Sequence, residues 1–228
     1  LGLGPGDEVL VPATTMSATA IAPLFWGVTP NFIDIEEDYF TLDINEVEKN
    51  INKNTKAIIA VNLFGHPAYL KKLSRLCKKR GLYLIEDNAQ APLASEYNNM
   101  CGTIGDIGIY SLNVHKHIHS GEGGVCVTDN KEFANKMCLI RNHGENVHEW
   151  LNIDSPTNTL GLNLRLPELS AAIARVQLKD IDMHVEKREE IAKALTKSCT
   201  GLDGITAPKT RIDCRHNYYC WTFKIDEN

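Results

Sequence analysis

The sequence predicts an α/β protein whose mainly parallel sheet is flanked by helices. Short apolar runs that suit β-strands alternate along the chain with longer segments whose apolar residues recur at helical spacing. The run Thr55–Leu63 is apolar over nearly its whole length, which is typical of a strand buried on both faces of a parallel sheet. Strand–helix–strand units of this kind place their helices on the faces of one sheet.

The predicted elements follow one another in a regular order. The predicted strands are Glu8–Pro12, Asn31–Ile35, Thr55–Leu63, Leu82–Ile85, Asp106–Leu112 and Gly124–Thr128. The predicted helices are Thr14–Gly27, Leu42–Asn50, Ala68–Arg80, Lys131–Arg141, and one that begins at Leu166–Pro167 and runs with a bend to about Ser198. Glycine suits the end of a helix and proline its first turn, which agrees with Gly27, Gly81 and Pro167.

Two stretches of the chain depart from this alternation. The segment 142–163 is polar and irregular, so we expect a long surface loop, which in compact domains is often functional. From Gly201 onward, Pro208 and short apolar runs such as Tyr218–Ile225 predict a linker and a further strand. We therefore expect one large domain over residues 1–200 and the beginning of a second, smaller domain over residues 201–228. Both ends suggest an internal piece of a longer protein.

Composition argues against several classes of partner. The 29 acidic residues outnumber the 24 basic ones, and no basic tract is longer than Lys71–Lys72 or Lys78–Arg80, so we expect no nucleic-acid partner. No stretch approaches roughly 18 consecutive apolar residues, so we expect no membrane span. The seven cysteines form no CxxC pattern, which favours reduced thiols and a cytoplasmic location.

The stretch Ser111–Gly124, SLNVHKHIHSGEGG, places Lys116 in a turn between two predicted strands. Lysine normally prefers solvent, so this position calls for an explanation. Burial lowers the pKa of an amine and makes it nucleophilic, which would suit a lysine that forms a Schiff base. The alternatives are a basic residue beside a metal site, or a lysine whose stem packs while its head reaches water.

His115, His117 and His119 alternate along the same stretch. In an extended segment they would share one face, as metal-binding histidines do, so a histidine-based metallohydrolase is an alternative hypothesis. Lys116 would then point to the opposite face, and this hypothesis leaves Asp87 unexplained. Solvated or packed histidines are the favoured interpretation.

Asp87 lies at the end of a predicted strand, where open α/β sheets bind their ligands. Its carboxylate would suit a metal, a ribose or a protonated ring nitrogen, and a helix N-cap is the structural alternative. Gln90 follows within the same turn and would reach the same ligand. The chain contains neither GxGxxG after a strand nor GxxxxGK[ST], so a Rossmann or P-loop nucleotide site is not predicted.

Taken together, these motifs resemble the DegT/DnrJ/EryC1/StrS family of sugar aminotransferases, which use pyridoxal phosphate. The resemblance extends in order over nearly the whole chain. The matching stretches are LGLGPGDEVLVPATT at 1–15, LIEDNAQA at 84–91, GDIGIYSLNVHKHIHSGEGG at 105–124, RNHGE at 141–145 and GLNLRLPELSAAIARVQL at 161–178.

The resemblance implies an aspartate aminotransferase-like fold of type I, with a pyridoxal-phosphate-binding large domain and a small C-terminal α+β domain. It implies that Lys116 bonds covalently to the cofactor and moves the proton between the two reacting carbons. Asp87 then pairs with the pyridinium nitrogen and keeps it protonated. Gln90 would bond the phenolic oxygen of the cofactor, and Ser111 its phosphate.

Three further positions follow from the resemblance. Met16 stands where the family usually has an aromatic residue stacked on the cofactor ring, and a thioether also packs on such a face. Asn163 and Arg165 match residues that reach into the neighbouring subunit, the first to the phosphate and the second near phosphate or substrate. The implied assembly is a homodimer with shared active sites.

The expected activity is transfer of an amino group, from glutamate, to a nucleotide-linked keto sugar for polysaccharide, lipopolysaccharide or related sugar biosynthesis. A related branch replaces the lysine with histidine and dehydrates the sugar at C3, and Lys116 favours transamination over that 3-dehydratase reaction. Two more hypotheses stay open, namely a non-catalytic regulator that binds pyridoxal phosphate and the histidine-based metallohydrolase.

Overall fold

The protein is described by a computed structural model that covers residues 1–145 and 159–226. Its central sheet has six strands, which are β1 Glu8–Pro12, β2 Thr29–Ile33, β3 Thr55–Val61, β4 Tyr83–Asp87, β7 Ile107–Ser111 and β8 Gly124–Val127. Their order in the sheet is β2-β1-β3-β4-β7-β8. Neighbouring strands are parallel except for β7 and β8, so the prediction of a mainly parallel sheet is confirmed.

Helices connect these strands and continue beyond them. They are α1 Ala18–Phe25, α2 Ile44–Asn50, α3 Leu70–Arg80, α4 Lys131–Arg141, α5 Glu168–Gln177 and α6 Ile181–Cys199. The predicted bend after Pro167 is confirmed as the 3₁₀ turn Leu178–Asp180 between α5 and α6. Gly81 has a φ of 67° and ends α3 in the left-handed conformation.

Alternating side chains of β1 and β3 build a core on each face of the sheet. Leu10 and Ile58 point into the core that α2 and α3 cover. Val9, Val11 and Ile59 pack on the opposite face with Ala20 of α1. Successive strand residues point to opposite faces, so an almost continuous apolar run is buried on both sides.

Several short strands were not predicted. β5 (Ser95–Glu96) and β6 (Asn99–Met100) form a small hairpin, and β10 (Cys214–Arg215) pairs with β5. β9 (Ile205–Thr206) pairs with β11 (Lys224–Ile225). The predicted strand Tyr218–Ile225 is therefore wrong except at its last two residues. Tyr218 adopts a φ of 51°, which is incompatible with an extended strand.

The predicted surface loop at 142–163 lies mostly outside the described residues. At its ends, Asn142 and Asn163 form an isolated antiparallel bridge. Over residues 1–145 and 159–226, no helix combines the length and apolar character that crossing a membrane requires.

Candidate active site

The candidate site lies at the carboxyl ends of two neighbouring parallel strands. β4 ends at Asp87 and β7 at Ser111, and Asp87 lies beside Ile109 in the sheet. Lys116 lies in the loop that follows β7, and Gln90 in the turn that follows β4. The topology therefore brings residues from two separate loops to one edge of the sheet, where open α/β sheets bind ligands.

Asp87 is held by two hydrogen-bond donors. The Thr19 hydroxyl donates to Oδ2 at 3.0 Å, and the Ala89 amide donates to Oδ1 at 3.0 Å. Thr15 and Thr19 share a 2.9 Å hydrogen bond, and because the Thr19 proton goes to Asp87, Thr15 is the donor. This chain of hydroxyls holds the carboxylate in one orientation. Sequence reasoning missed Thr19, because its role depends on where α1 packs.

Lys116 is half-buried, and burial is the main cause that lowers its pKa below the ordinary lysine value. The negative charge of Asp87 acts in the opposite direction. The Lys116 amine lies 4.9 Å from the centre of the Tyr219 ring. Tyr219 comes from the C-terminal segment and was also missed, since nothing in the local sequence links it to Lys116.

The remaining predicted cofactor residues lie around the same edge. Gln90 Oε1 accepts a 2.6 Å hydrogen bond from the Phe64 amide, which fixes the side-chain amide. Ser111 Oγ accepts one of 3.2 Å from the amide of Asn113. Met16 lies just before α1 and is 69% exposed, so its thioether is free to contact a ligand.

The three histidines do not gather into a metal site. The segment 113–118 consists of turns and bends, and His115 is exposed whereas His117 is buried. Within the described ranges, one group of side chains could hold a metal, and it consists of Glu96, Asp213 and Cys214. The hypothesis of a histidine-based metal centre is therefore wrong for this segment, because the extended backbone that it requires does not form.

Asn163 and Arg165 are exposed and lie between the bridge to Asn142 and the start of α5. Arg165 Nη1 donates a 2.6 Å hydrogen bond to Asn142 Oδ1. Among the described residues, no hydrogen bond joins either side chain to Asp87 or Lys116.

Comparison with known proteins identifies the family. The model of the DegT/DnrJ/EryC1/StrS aminotransferase family matches residues 1–228. The chain belongs to this family. One relative, the UDP-N-acetyl-3-dehydro-alpha-D-glucosamine 3-aminotransferase of Acidithiobacillus ferrooxidans, is 35% identical over 227 residues, which cover 99% of this chain and 60% of the relative.

Solved structures agree with this membership. DesV of S. venezuelae, in complex with a ketimine intermediate, superposes with a TM-score of 0.91 and 33% identity, over 98% of this chain and 59% of DesV. The E. coli GDP-4-keto-6-deoxy-D-mannose-3-dehydratase with bound hydrated PLP gives a TM-score of 0.87 and 26% identity, over 99% of this chain and 61% of the dehydratase. The predicted aminotransferase fold is confirmed. The chain spans about 60% of the length of these proteins.

Proposed function

We propose that the protein is a pyridoxal-phosphate-dependent aminotransferase that transfers an amino group from glutamate to a nucleotide-linked keto sugar, for polysaccharide, lipopolysaccharide or related sugar biosynthesis. The observation that carries the proposal is the half-buried Lys116 amine, with its lowered pKa, in the loop that follows β7, the strand that pairs with the Asp87 end of β4. A sugar aminotransferase among the relatives supports the reaction and the substrate class.

The residues at the sheet edge fit pyridoxal phosphate. A cationic ring nitrogen needs a fixed carboxylate, and Asp87 is held by Thr19 and Ala89. A carbonyl carbon needs a neutral amine nearby, and burial lowers the pKa of Lys116 in that direction. When bound, pyridoxal phosphate supplies an electron sink for the carbanion formed at the substrate carbon.

Each candidate residue then has a defined task. Lys116 would hold the cofactor covalently at rest, and its Nζ, once released, would accept and return a proton in both half-reactions. Asp87 would keep the ring nitrogen protonated, and Ser111 would donate to the phosphate. Gln90, fixed by the Phe64 amide, donates its side-chain N–H to the phenolic oxygen. Met16 packs on the ring face.

A sugar dehydratase is the second candidate, since one structural neighbour is a GDP-4-keto-6-deoxy-D-mannose-3-dehydratase. Lys116 favours transamination, because an amine can bond covalently to the cofactor whereas the histidine of the dehydratase branch cannot. The neighbouring His117 does not take over this task. Burial and the nearby Arg188 lower its pKa to about 4, and its Nε2 lies 3.5 Å from the Asn217 carbonyl.

We also propose a homodimer with shared active sites. α5 carries apolar residues, yet none of its side chains is buried. Together with the preceding segment it presents an exposed apolar stripe, which consists of Leu160, Leu164, Leu169, Ile173 and Val176. A second copy would cover this stripe and receive Asn163 and Arg165, which are exposed beside it.

The proposal also covers the division of the chain into domains and the cellular compartment of the protein. Residues 1–200 form the large cofactor-binding domain, and residues 201–228 begin a small α+β domain, of which β9 and β11 are the first ladder. All seven cysteines are free, which suits the reducing cytoplasm.

The proposal is tested on the protein purified with added pyridoxal phosphate. After borohydride reduction and proteolysis, mass spectrometry should locate the cofactor on Lys116. The variant Lys116→Ala should lose the adduct, whereas Lys193→Ala, which removes an exposed lysine of α6, should keep it. An adduct retained in Lys116→Ala would refute the assignment.

Activity is measured by incubating the same preparation with glutamate and nucleotide-linked keto sugars. We expect 2-oxoglutarate and an amino sugar in equal amounts. A protein that carries the adduct on Lys116 but releases no 2-oxoglutarate with any of these sugars would instead support the regulator or the dehydratase.

A further inference from the structure

A separate cavity of about 390 Å³ lies between α6 and the C-terminal segment. This volume is within the range of small-molecule sites. Two cationic side chains, Lys187 and Arg188, and two histidines, His117 and His184, line it. None of the candidate cofactor residues Asp87, Gln90, Ser111 and Lys116 lines it. We refer to it as the basic cavity.

The charges around the basic cavity are mostly positive. Arg188 is half-buried, and its Nη1 donates to the Tyr219 carbonyl at 3.1 Å. Within the described part of the chain, no carboxylate forms an ion pair with Arg188. Among the described residues, Lys187 pairs only with Glu190, which is exposed, at 2.7 Å. A half-buried guanidinium without a carboxylate retains most of its capacity to bind an anion.

The pKa of His117 is affected by positive charges near the basic cavity. Burial is the largest cause that lowers its pKa to about 4, and the positive charges of Arg188 and Lys116 act in the same direction. Its imidazole is therefore neutral at pH 7. The positive charges of Arg188 and Lys116 nearby favour an anion over a further cation.

Aromatic rings form the other wall of the basic cavity. Tyr218, Tyr219 and Trp221 line it together with Ile191. Trp221 is held in place because its Nε1 donates a 3.0 Å hydrogen bond to Thr196 Oγ1 of α6. Fixed rings beside basic groups suit a ligand that combines a planar ring with an anionic group.

We propose that the basic cavity binds an organic phosphate that carries an aromatic ring, with the phosphate beside Arg188 and Lys187 and the ring against Tyr218, Tyr219 and Trp221. This site goes beyond the proposed function, which does not require it. It is connected to the candidate active site through Tyr219, which lines the cavity and also lies 4.9 Å from the Lys116 amine. Occupancy of the cavity would therefore constrain the residue against which Lys116 packs.

A nucleotide and a vitamin B6 phosphate both combine a ring with a phosphate, so the test uses a probe from each class. Isothermal titration of the borohydride-reduced holoprotein, whose cofactor is covalently retained, compares UDP, pyridoxine 5′-phosphate and inorganic phosphate. We expect at least one aromatic phosphate to bind about tenfold or more tightly than inorganic phosphate, because only it contacts the rings.

Variants locate the binding. Arg188→Gln removes the charge but keeps N–H donors for the Tyr219 carbonyl, and we expect about tenfold weaker binding. Lys187→Gln, at an exposed position that folding tolerates, should weaken it about fivefold. The matched control Lys197→Gln removes an exposed lysine of α6 that does not line the basic cavity, and it should bind as the wild type does.

Three results would overturn the proposal. The first is no binding of either aromatic phosphate, and the second is equal affinity in the wild type, Arg188→Gln and Lys187→Gln. The third is binding that Arg165→Gln abolishes and Lys187→Gln leaves unchanged, which would place the nucleotide at the proposed substrate site. If borohydride gives no adduct on Lys116, the proposed function fails, whereas the same titrations of the unreduced protein still decide the cavity.

Discussion

The hydrogen bond from Thr19 to Asp87 orients the carboxylate that would bind a cationic ring nitrogen. We therefore expect cofactor affinity to depend on this bond. Thr19 is 5% exposed, and its hydroxyl donates to Asp87 Oδ2 at 3.0 Å. The variant Thr19→Val removes the donor and keeps the shape. Both residues are β-branched, so the helical propensity of α1 changes little.

The magnitude follows from the chemistry of this bond. A hydrogen bond to a charged group contributes about 1.5–3 kcal/mol. If Asp87 binds the cofactor only when its carboxylate is held in this orientation, most of that free energy is lost from cofactor binding. The expected effect is about a 10- to 100-fold weaker affinity for pyridoxal phosphate.

The assay is a titration of cofactor-free protein with pyridoxal phosphate, followed by its absorption. Thr15→Val is the matched control, because Thr15 bonds Thr19 and not Asp87. It should weaken binding less than Thr19→Val does. An unchanged affinity in Thr19→Val, or equal losses in both variants, would refute the reasoning.

Two further predictions concern stability. Arg211 and Glu96 form a buried 2.7 Å ion pair, so Arg211→Met should lower the free energy of unfolding by about 3–5 kcal/mol. The double variant with Glu96→Gln should recover much of this loss in urea denaturation, and a loss below about 1 kcal/mol in the single variant would contradict the prediction. Burial lowers the pKa of His66 to about 3 and of His216 to about 4, so below pH 6.5 the unfolded chain binds more protons than the folded one and stability falls. Between pH 7.5 and pH 5 the expected loss is roughly 2 kcal/mol per histidine, which the double variant His66→Gln/His216→Gln should reduce and a pH-independent wild type would exclude.

Sequence patterns predicted best those elements whose buried face is visible in the spacing of apolar residues within the segment itself. β1 at Glu8–Pro12 and α4 at Lys131–Arg141 have the predicted bounds. The predicted helix Thr14–Gly27 is shorter in the structure and begins at Ala18. The hairpin of β5 and β6 escaped prediction because two-residue strands show no periodicity, and their pairing with β10 joins distant parts of the chain.

Some features of the candidate site were likewise predictable from the sequence, and others were not. The positions of Asp87 at a strand end and Lys116 in a loop after a strand followed from the order of apolar runs, and their roles followed from the family resemblance. The roles assigned to all the site residues remain predictions, namely those of Asp87, Lys116, Gln90, Ser111, Met16, Asn163 and Arg165. The partners of the two central residues had no sequence signal.

The amino-acid sequence by itself determined the alternation of strands and helices, because the period of apolar residues is a property of neighbouring positions. It also determined the family, since the motifs recur in one order. Only the tertiary structure decided that Thr19 orients Asp87, that Tyr219 packs against Lys116, and that basic and aromatic side chains enclose a second cavity. These contacts join residues that are far apart in the chain, and their geometry depends on how whole helices pack on the sheet.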